Sequence, residues 1–234
     1  MRVLAIVHQE DAGPGVFGEE LSAQGVELDC WRVPEEPGPP READSYGAVM
    51  TFGGAMHIDQ DDRHAWLARE TELLRELIER GTPLLGACLG AQLLCAAAGG
   101  EVTRMREPEI GWVEVEVDDP DDPLVGPLAP SFSAFEWHSY ACEPPPGSVV
   151  LARSEQCAQA FRIGEAAWGI QFHAEVSTAD AAKWIAEWRT DPDAVRIGLD
   201  ADALREETQV ELTAWHDLGR GLAGRFLEAA AART

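Results

Sequence analysis

Between residues 47 and 94 the chain reads strand, helix, strand, helix with few residues to spare. No other feature limits the fold as strongly. Residues 47–52 carry no charge and are apolar but for Thr51, as in a strand buried on both faces. From 63 to 80, Trp66, Leu67, Leu73, Leu74, Leu77 and Ile78 recur at helical spacing with charged residues between them. Gly81 and Pro83 stop that helix, and a second buried strand begins over 83–87. A strand, a crossover helix and a second strand make the right-handed unit of a doubly wound sheet. Residues 2–7 form another strand, apolar from Val3 onward, followed by a helix near 16–23 and a strand at 26–33. The segment 34–44, with four prolines and five charges, is a surface loop. After residue 100 the pattern changes. Trp112, Val113, Val115 and Val117 are interleaved with acids over 111–118, and short strands are expected at 131–137, 148–153, 158–163 and 166–172. Helical periodicity returns at 179–189 and from about 206 to 232. The expectation is one α/β domain over 1–234, a mixed but mostly parallel sheet flanked by helices.

Charge excludes several partners. With 42 acidic and 18 basic side chains the formal net charge is −24 at pH 7. Nucleic acid and anionic membrane surfaces would be repelled. Yet 45% hydrophobic residues, including eight tryptophans, are too many for an acidic disordered tail. The apolar run at residues 1–8 is short for a secretory signal, and no stretch approaches the roughly 18 apolar residues of a membrane span. Five cysteines form an odd set without a C-x-x-C pair. Free thiols in a cytoplasmic setting are therefore expected, with no disulfide framework, metal site or cofactor motif.

Chemistry concentrates in three places. In Gly86-Ala87-Cys88-Leu89-Gly90 a buried strand turns directly into a helical pattern. This is the cysteine counterpart of the strand–turn–helix nucleophile elbow. A thiol there sits at a helix N-terminus, where unpaired N–H groups and the dipole favour thiolate, and the next N–H faces the place where an oxyanion would form. A small buried hydrophobe in a glycine-rich turn is the alternative, and it is the reading preferred for Cys95. The second place is Gly169-Ile170-Gln171-Phe172-His173-Ala174-Glu175, where a strand end delivers a histidine with a carboxylate two residues on. A thiol nucleophile wants a base, and the base wants an orienting group. His8, His57, His64, His138 and His216 are weaker candidates, lying in loops, in helical patterns or beside an aromatic. The third is Phe52-Gly53-Gly54, a strand ending in two glycines, where backbone N–H can approach a substrate oxygen.

Together Gly53-Gly54, Gly86-Ala-Cys88-Leu-Gly90-Ala-Gln92 and His173-Ala-Glu175 resemble the class I (triad) glutamine amidotransferases. The likeness runs from about Val3 to Val176, includes Glu109-Ile110-Gly111-Trp112 and Phe135-Glu136-Trp137-His138-Ser139-Tyr140, and is greatest to stand-alone proteins similar to the amidotransferase domain of GMP synthase. It implies a flavodoxin-like fold with a motif-bearing core over about 3–190 and a helical extension over about 191–234. It also implies roles. Cys88 would attack the γ-carbonyl of glutamine or a γ-glutamyl compound, His173 would move the proton and Glu175 would orient His173. Gly54 and Leu89 would supply oxyanion N–H groups, while Gly53, Gln92, Ser139 and Tyr140 would meet the substrate. Two departures stand out. Ser139-Tyr140 replaces the Gly-Asp found in many relatives, and Ala174 replaces a proline.

Three functions follow from the resemblance. The chain could release ammonia from glutamine, passing it to a separate synthetase or acceptor protein, since no synthetase motif is present. It could hydrolyse γ-glutamyl amines or peptides alone. It could be a silent regulatory module, against which the complete triad argues. The acids at 34–44, 59–62, 118–122 and the C-terminal region are expected to form a solvated shell, leaving few fixed negative charges at the site besides Glu175.

Overall fold

A computed structural model describes residues 1–233. Its strands are β1 (Arg2–Val7), β2 (Glu27–Arg32), β3 (Ala48–Thr51), β4 (Leu84–Ala87), β5 (Glu101–Val117), β6 (Ser131–Glu143), β7 (Val149–Arg153), β8 (Ala158–Ile163) and β9 (Ala167–Ile170). The helices are α1 (Gly15–Ala23), α2 (Trp66–Glu79), α3 (Leu89–Ala97), α4 (Thr178–Ala186), α5 (Pro192–Ile197) and α6 (Ala201–Ala231). One sheet has the order β2-β1-β3-β4-β9-β8-β6-β5-β7.

Alternation of side chains along each central strand feeds two cores. Val3, Ala5 and Val7 of β1 pack with Phe17, Leu21, Ile185, Trp215 and Phe226 from α1, α4 and α6. Leu4 and Ile6 pack on the other face with Leu67, Leu74, Leu77, Leu93 and Leu94 from α2 and α3. Helices therefore cover both faces, which is why β3 and β4 are buried along their whole length.

The sheet is not mostly parallel. β2, β1, β3, β4 and β9 pair in parallel, whereas β8, β6, β5 and β7 pair antiparallel and join through β8–β9. The cause is the connections. Parallel neighbours need a crossover of a dozen or more residues, and residues 101–170 contain no α-helix to supply one. Other differences are local. β5 begins ten residues before the expected Gly111, over a largely exposed stretch whose pairing with β6 is irregular between Arg104 and Glu109. Helix α5 was not expected, although its signals are present. Asp191 accepts hydrogen bonds from the Asp193 and Ala194 N–H groups, Pro192 opens the helix and Gly198 closes it in the left-handed conformation. The same capping by Asp200 starts α6 at Ala201 instead of near 206.

Candidate active site

Four parallel strands end on one edge, and the residues that follow them build the site. His8 follows β1, Gly53-Gly54 follow β3, Cys88 follows β4 and His173 follows β9. Carboxyl ends of parallel strands are where open α/β sheets bind ligands.

Cys88 has φ 50° and ψ −109°, and is the sole non-glycine residue with positive φ among the described residues. Holding a side-chain-bearing residue there costs on the order of 1–3 kcal/mol. The surroundings fix it. The Cys88 N–H donates to Ile170 O (2.9 Å), the Gly90 N–H donates to Phe52 O (3.0 Å), and the Cys88 carbonyl accepts from the Gln92 N–H (3.0 Å). The glycines of the elbow permit this closeness. A Cβ on Gly90 would overlap the Thr51 carbonyl, and one on Gly86 would lie 2.6 Å from the Gly90 backbone.

His173 Nδ1 lies 2.8 Å from Glu175 Oε1, with both side chains buried. Its Nε2 is the nitrogen left for Cys88. Burial works against charge on His173, but its interactions with the neighbouring Cys88 and Glu175 side chains outweigh it and hold the imidazole pKa well above its ordinary value. The backbone is equally pinned. His173 N–H donates to Phe135 O (2.9 Å), and Trp215 Nε1 of α6 donates to His173 O (2.8 Å). A Cβ on Gly219 of α6 would overlap the Ala174 carbonyl, so the C-terminal helix packs directly on the His173–Glu175 turn. Trp184 of α4 meets the imidazole edge to face at 4.8 Å.

Gly53 and Gly54 sit opposite. A Cβ on Gly53 would lie 2.9 Å from His173 Cε1 and 3.7 Å from Cys88 Cβ. The missing side chain is what lets the imidazole stand beside the thiol. A Cβ on Gly54 would lie 3.2 Å from Leu89 Cδ2, so the two expected oxyanion donors are neighbours. Leu89 is the first residue of α3, and its N–H belongs to the first-turn donors that have no partner within the helix.

These residues open into a cavity of about 360 Å³, within the range for small-molecule sites. Gly54, Cys88, Leu89, Gln92, Ser139, Tyr140 and His173 all line it. Glu175 stands behind His173, and Gly53 beneath it, without lining the cavity. The strip residues are engaged by neighbours. Gln92 Nε2 donates to Gln171 Oε1 (3.3 Å) and Tyr140 O (3.5 Å), Ser139 Oγ to Asp193 Oδ2 (2.6 Å), and Tyr140 Oη to Asp59 Oδ2 (2.8 Å).

The expectation of few negative charges fails. Asp11, Glu187, Asp191 and Asp193 line the cavity, and Asp59 reaches it through Tyr140. Asp193 is compensated by Arg104, which contacts both its oxygens at 2.8 Å, and Asp11 by Lys183 (2.9 Å). Burial raises the Asp193 pKa, but Ser139 and Arg104 outweigh it, so its carboxyl titrates below its usual range. Asp191, Asp193 and Arg104 escape the sequence reading because the unexpected α5, its cap and the unexpected half of β5 carry them. Trp137, Trp184 and Trp188 add an aromatic wall.

Below the strip lies a buried ionic cluster. His138 Nδ1 donates to Tyr140 O (2.9 Å), and Nε2 faces Glu109 Oε2 (3.0 Å) and Glu136 Oε2 (3.3 Å). Burial opposes its charge, but the two glutamates overcome this and raise its pKa to about 10. Donor atoms of Glu109, His138 and Cys157 lie within 4.8 Å of one another, the spacing of a metal site. Burial and Glu109 push the Cys157 thiol pKa up, and Gln159 Nε2 already donates to Glu109 Oε2 (2.7 Å). That proton state suits hydrogen bonding better than coordination.

With the geometry in place, likeness to known proteins decides the family. The profile described as glutamine amidotransferase class-I matches residues 18–189. The chain belongs to the class I glutamine amidotransferase family. One subunit of a glutamine-hydrolysing GMP synthase from Ignicoccus hospitalis is 38% identical over 141 residues, covering 59% of this chain and 71% of that one. A γ-glutamyl-L-1-hydroxyisopropylamide hydrolase from a Pseudomonas species is 30% identical over 167 residues, 66% of this chain. The match spans little more than half of that hydrolase, 56% of its length. The crystal structure of a glutamine amidotransferase from Thermotoga maritima superposes with a TM-score of 0.88 at 28% identity, covering 97% of this chain and 98% of that one. All five cysteines of this family member are free, and no helix among the described residues is long and apolar enough to cross a membrane.

Proposed function

We propose that the chain hydrolyses a γ-glutamyl amide bond through a thioester on Cys88. The observation that carries this reading is the pairing of a strained, elbow-held thiol with an imidazole that a buried glutamate orients at 2.8 Å. The Cys88 thiol gives its proton to His173 Nε2 and its sulfur attacks the γ-carbonyl carbon. The negative charge moves to the carbonyl oxygen, which meets the N–H groups of Gly54 and Leu89. Collapse breaks the C–N bond, and His173 hands the proton to the departing nitrogen. Water, deprotonated by His173, then cleaves the C–S bond, releasing glutamate and restoring the thiol. Glu175 holds the ring tautomer and offsets the imidazolium charge. Gln92 and the Ser139-Tyr140 strip would bound the glutamyl moiety, with Gly53 giving His173 its room.

Glutamine is the first substrate considered, consistent with the relatives named glutamine-hydrolysing. A γ-glutamyl amine or peptide is the second, and a specific observation favours it. The Trp137–Trp184–Trp188 wall offers apolar surface that a departing ammonia would not use, and one relative is named for such an amide. If ammonia is the product, a separate synthetase or acceptor subunit would receive it. We also assign residues 3–190 to the family core and 191–234 to a helical extension that braces it, and we place the protein in the cytoplasm, where its thiols stay reduced.

The test is turnover of glutamine and a panel of γ-glutamyl amines and dipeptides by purified protein, with Cys88→Ala as control. Ammonia from glutamine supports the first substrate class, and turnover confined to γ-glutamyl amines supports the second. Rates in the wild type no higher than in Cys88→Ala, with every substrate, would overturn the enzymatic reading and favour the silent module.

A further inference from the structure

Another buried histidine–carboxylate pair lies next to the triad and plays no part in the chemistry above. His8 Nε2 is 2.7 Å from Glu70 Oε2, and Glu70 Oε1 accepts from Thr51 Oγ1 at 2.6 Å. His8 is stacked on Trp66 at 5.0 Å, and the side chains of His8 and Glu70 are fully buried. Glu70 sits on the buried face of α2, which otherwise carries Trp66, Leu67, Leu74 and Leu77. A charged pair placed in a hydrophobic core stabilises a fold no better than apolar residues of the same size, so its presence calls for another account.

The other ring nitrogen supplies one. His8 Nδ1 lies 3.0 Å from Phe52 O and 3.1 Å from Gly53 O, both acceptors, so Nδ1 carries a hydrogen and donates to them. The Gly53 carbonyl belongs to the same planar unit as the Gly54 N–H, and in a trans peptide the two point in opposite directions. Fixing the carbonyl toward His8 therefore fixes the Gly54 N–H away from it. One residue on, the Ala55 N–H donates to Gln9 Oε1 at 2.7 Å, so adjacent side chains hold the loop on either side of the Gly54 amide. The Phe52 carbonyl also accepts from Gly90 N–H of the elbow, tying the same loop to the start of α3. A glycine pair has little conformational preference of its own, and a donor that must be preorganised needs an external restraint.

We propose that His8, oriented by Glu70 and Thr51, is a positioning residue that locks the Gly53–Gly54 peptide so that the Gly54 N–H is set for the oxyanion. This rests on the role given to Gly54 in the thioester reading, but the orientation of the peptide can be tested apart from that role.

Two double variants separate positioning from stability. His8→Leu/Glu70→Gln removes the donor without stranding a buried carboxylate, while His8→Asn/Glu70→Gln restores an amide N–H near the place of Nδ1. With γ-glutamyl-p-nitroanilide or glutamine as substrate, the leucine variant should lose about 10- to 100-fold in kcat with KM within about twofold. Its affinity for glutamate γ-semialdehyde, whose thiohemiacetal oxygen occupies the oxyanion position, should fall in step. Alkylation of Cys88 by iodoacetamide, which forms no oxyanion, should keep its rate. The asparagine variant should recover most of the kcat. Equal kcat in the wild type and the leucine variant would overturn the proposal. So would losses of kcat, alkylation rate and melting temperature in parallel, with no rescue by asparagine. If the wild type turns over neither substrate, the thioester reading is at fault, and the Gly54 amide still decides the positioning. Its NMR shift and hydrogen-exchange rate should change in the leucine variant and return in the asparagine one, and an amide indifferent to both would refute it.

Discussion

Adding one methyl group at Gly53 should disable the site while leaving the fold standing. An alanine Cβ there would lie 2.9 Å from His173 Cε1, where carbon atoms in contact prefer about 3.5–4.0 Å, so roughly 0.6–1 Å must be found. The imidazole has little to give. Its Nδ1 is bound to Glu175 at 2.8 Å, Trp184 packs on it at 4.8 Å, and its backbone is held at both N and O. The loop has little to give either, since His8 and Gln9 hold Gly53 O and Ala55 N–H. A displacement approaching 1 Å between a base and its nucleophile costs about 100-fold in rate, or roughly 2.7 kcal/mol of barrier. Overpacking of this kind costs about 1–3 kcal/mol of stability. Gly53→Ala should therefore lower kcat on a γ-glutamyl amide by about 30- to 100-fold, with a small change in KM and a cooperative thermal transition. The rate of Cys88 alkylation near neutral pH should fall too, because the imidazole that assists thiolate formation has moved. A Gly53→Ala protein with wild-type kcat would refute the view that the missing side chain sets the thiol–imidazole contact.

Glu175→Gln should lower kcat by about 10²–10⁴-fold with little effect on KM, read from initial rates, because the amide can leave His173 in the wrong tautomer. The His138 cluster makes a prediction about pH. Its pKa is about 10 in the native state against an ordinary 6.5, so the native state holds a proton that the unfolded chain releases. That stabilisation is complete below about pH 6.5 and is lost progressively up to about pH 10, so the melting temperature should decline across that window and decline less in His138→Gln. Trp215→Phe should keep the fold but lower kcat severalfold, since the donor to His173 O comes from α6.

Much of this site can be read along the chain because its parts are written locally. The Cys88 elbow is a strand and a helix separated by Cys88 alone, and the His173–Glu175 contact spans two residues. Those arrangements need no tertiary knowledge. Most of the parallel half of the sheet is equally plain, because β1, β3 and β4 are buried on both faces and read as apolar runs. What escapes is long-range. Glu70 has the look of a charge on an amphipathic helix, and only the fold turns it inward to meet His8, 62 residues away. Arg104 lies in a largely exposed stretch with no strand periodicity, and Asp193 lies 89 residues further on. The antiparallel half is harder to read because β5 opens over a largely exposed stretch without alternation, and β6 runs on past its aromatic segment with buried and partly buried residues in turn.

The most direct measurement is the intact mass of the protein after rapid acid quench during turnover of a γ-glutamyl amide. The thioester account predicts a glutamyl adduct on the wild type, mapped to Cys88 by peptide analysis and absent from Cys88→Ala. Hydrolysis at full rate by Cys88→Ala, or an adduct at another residue, would contradict it.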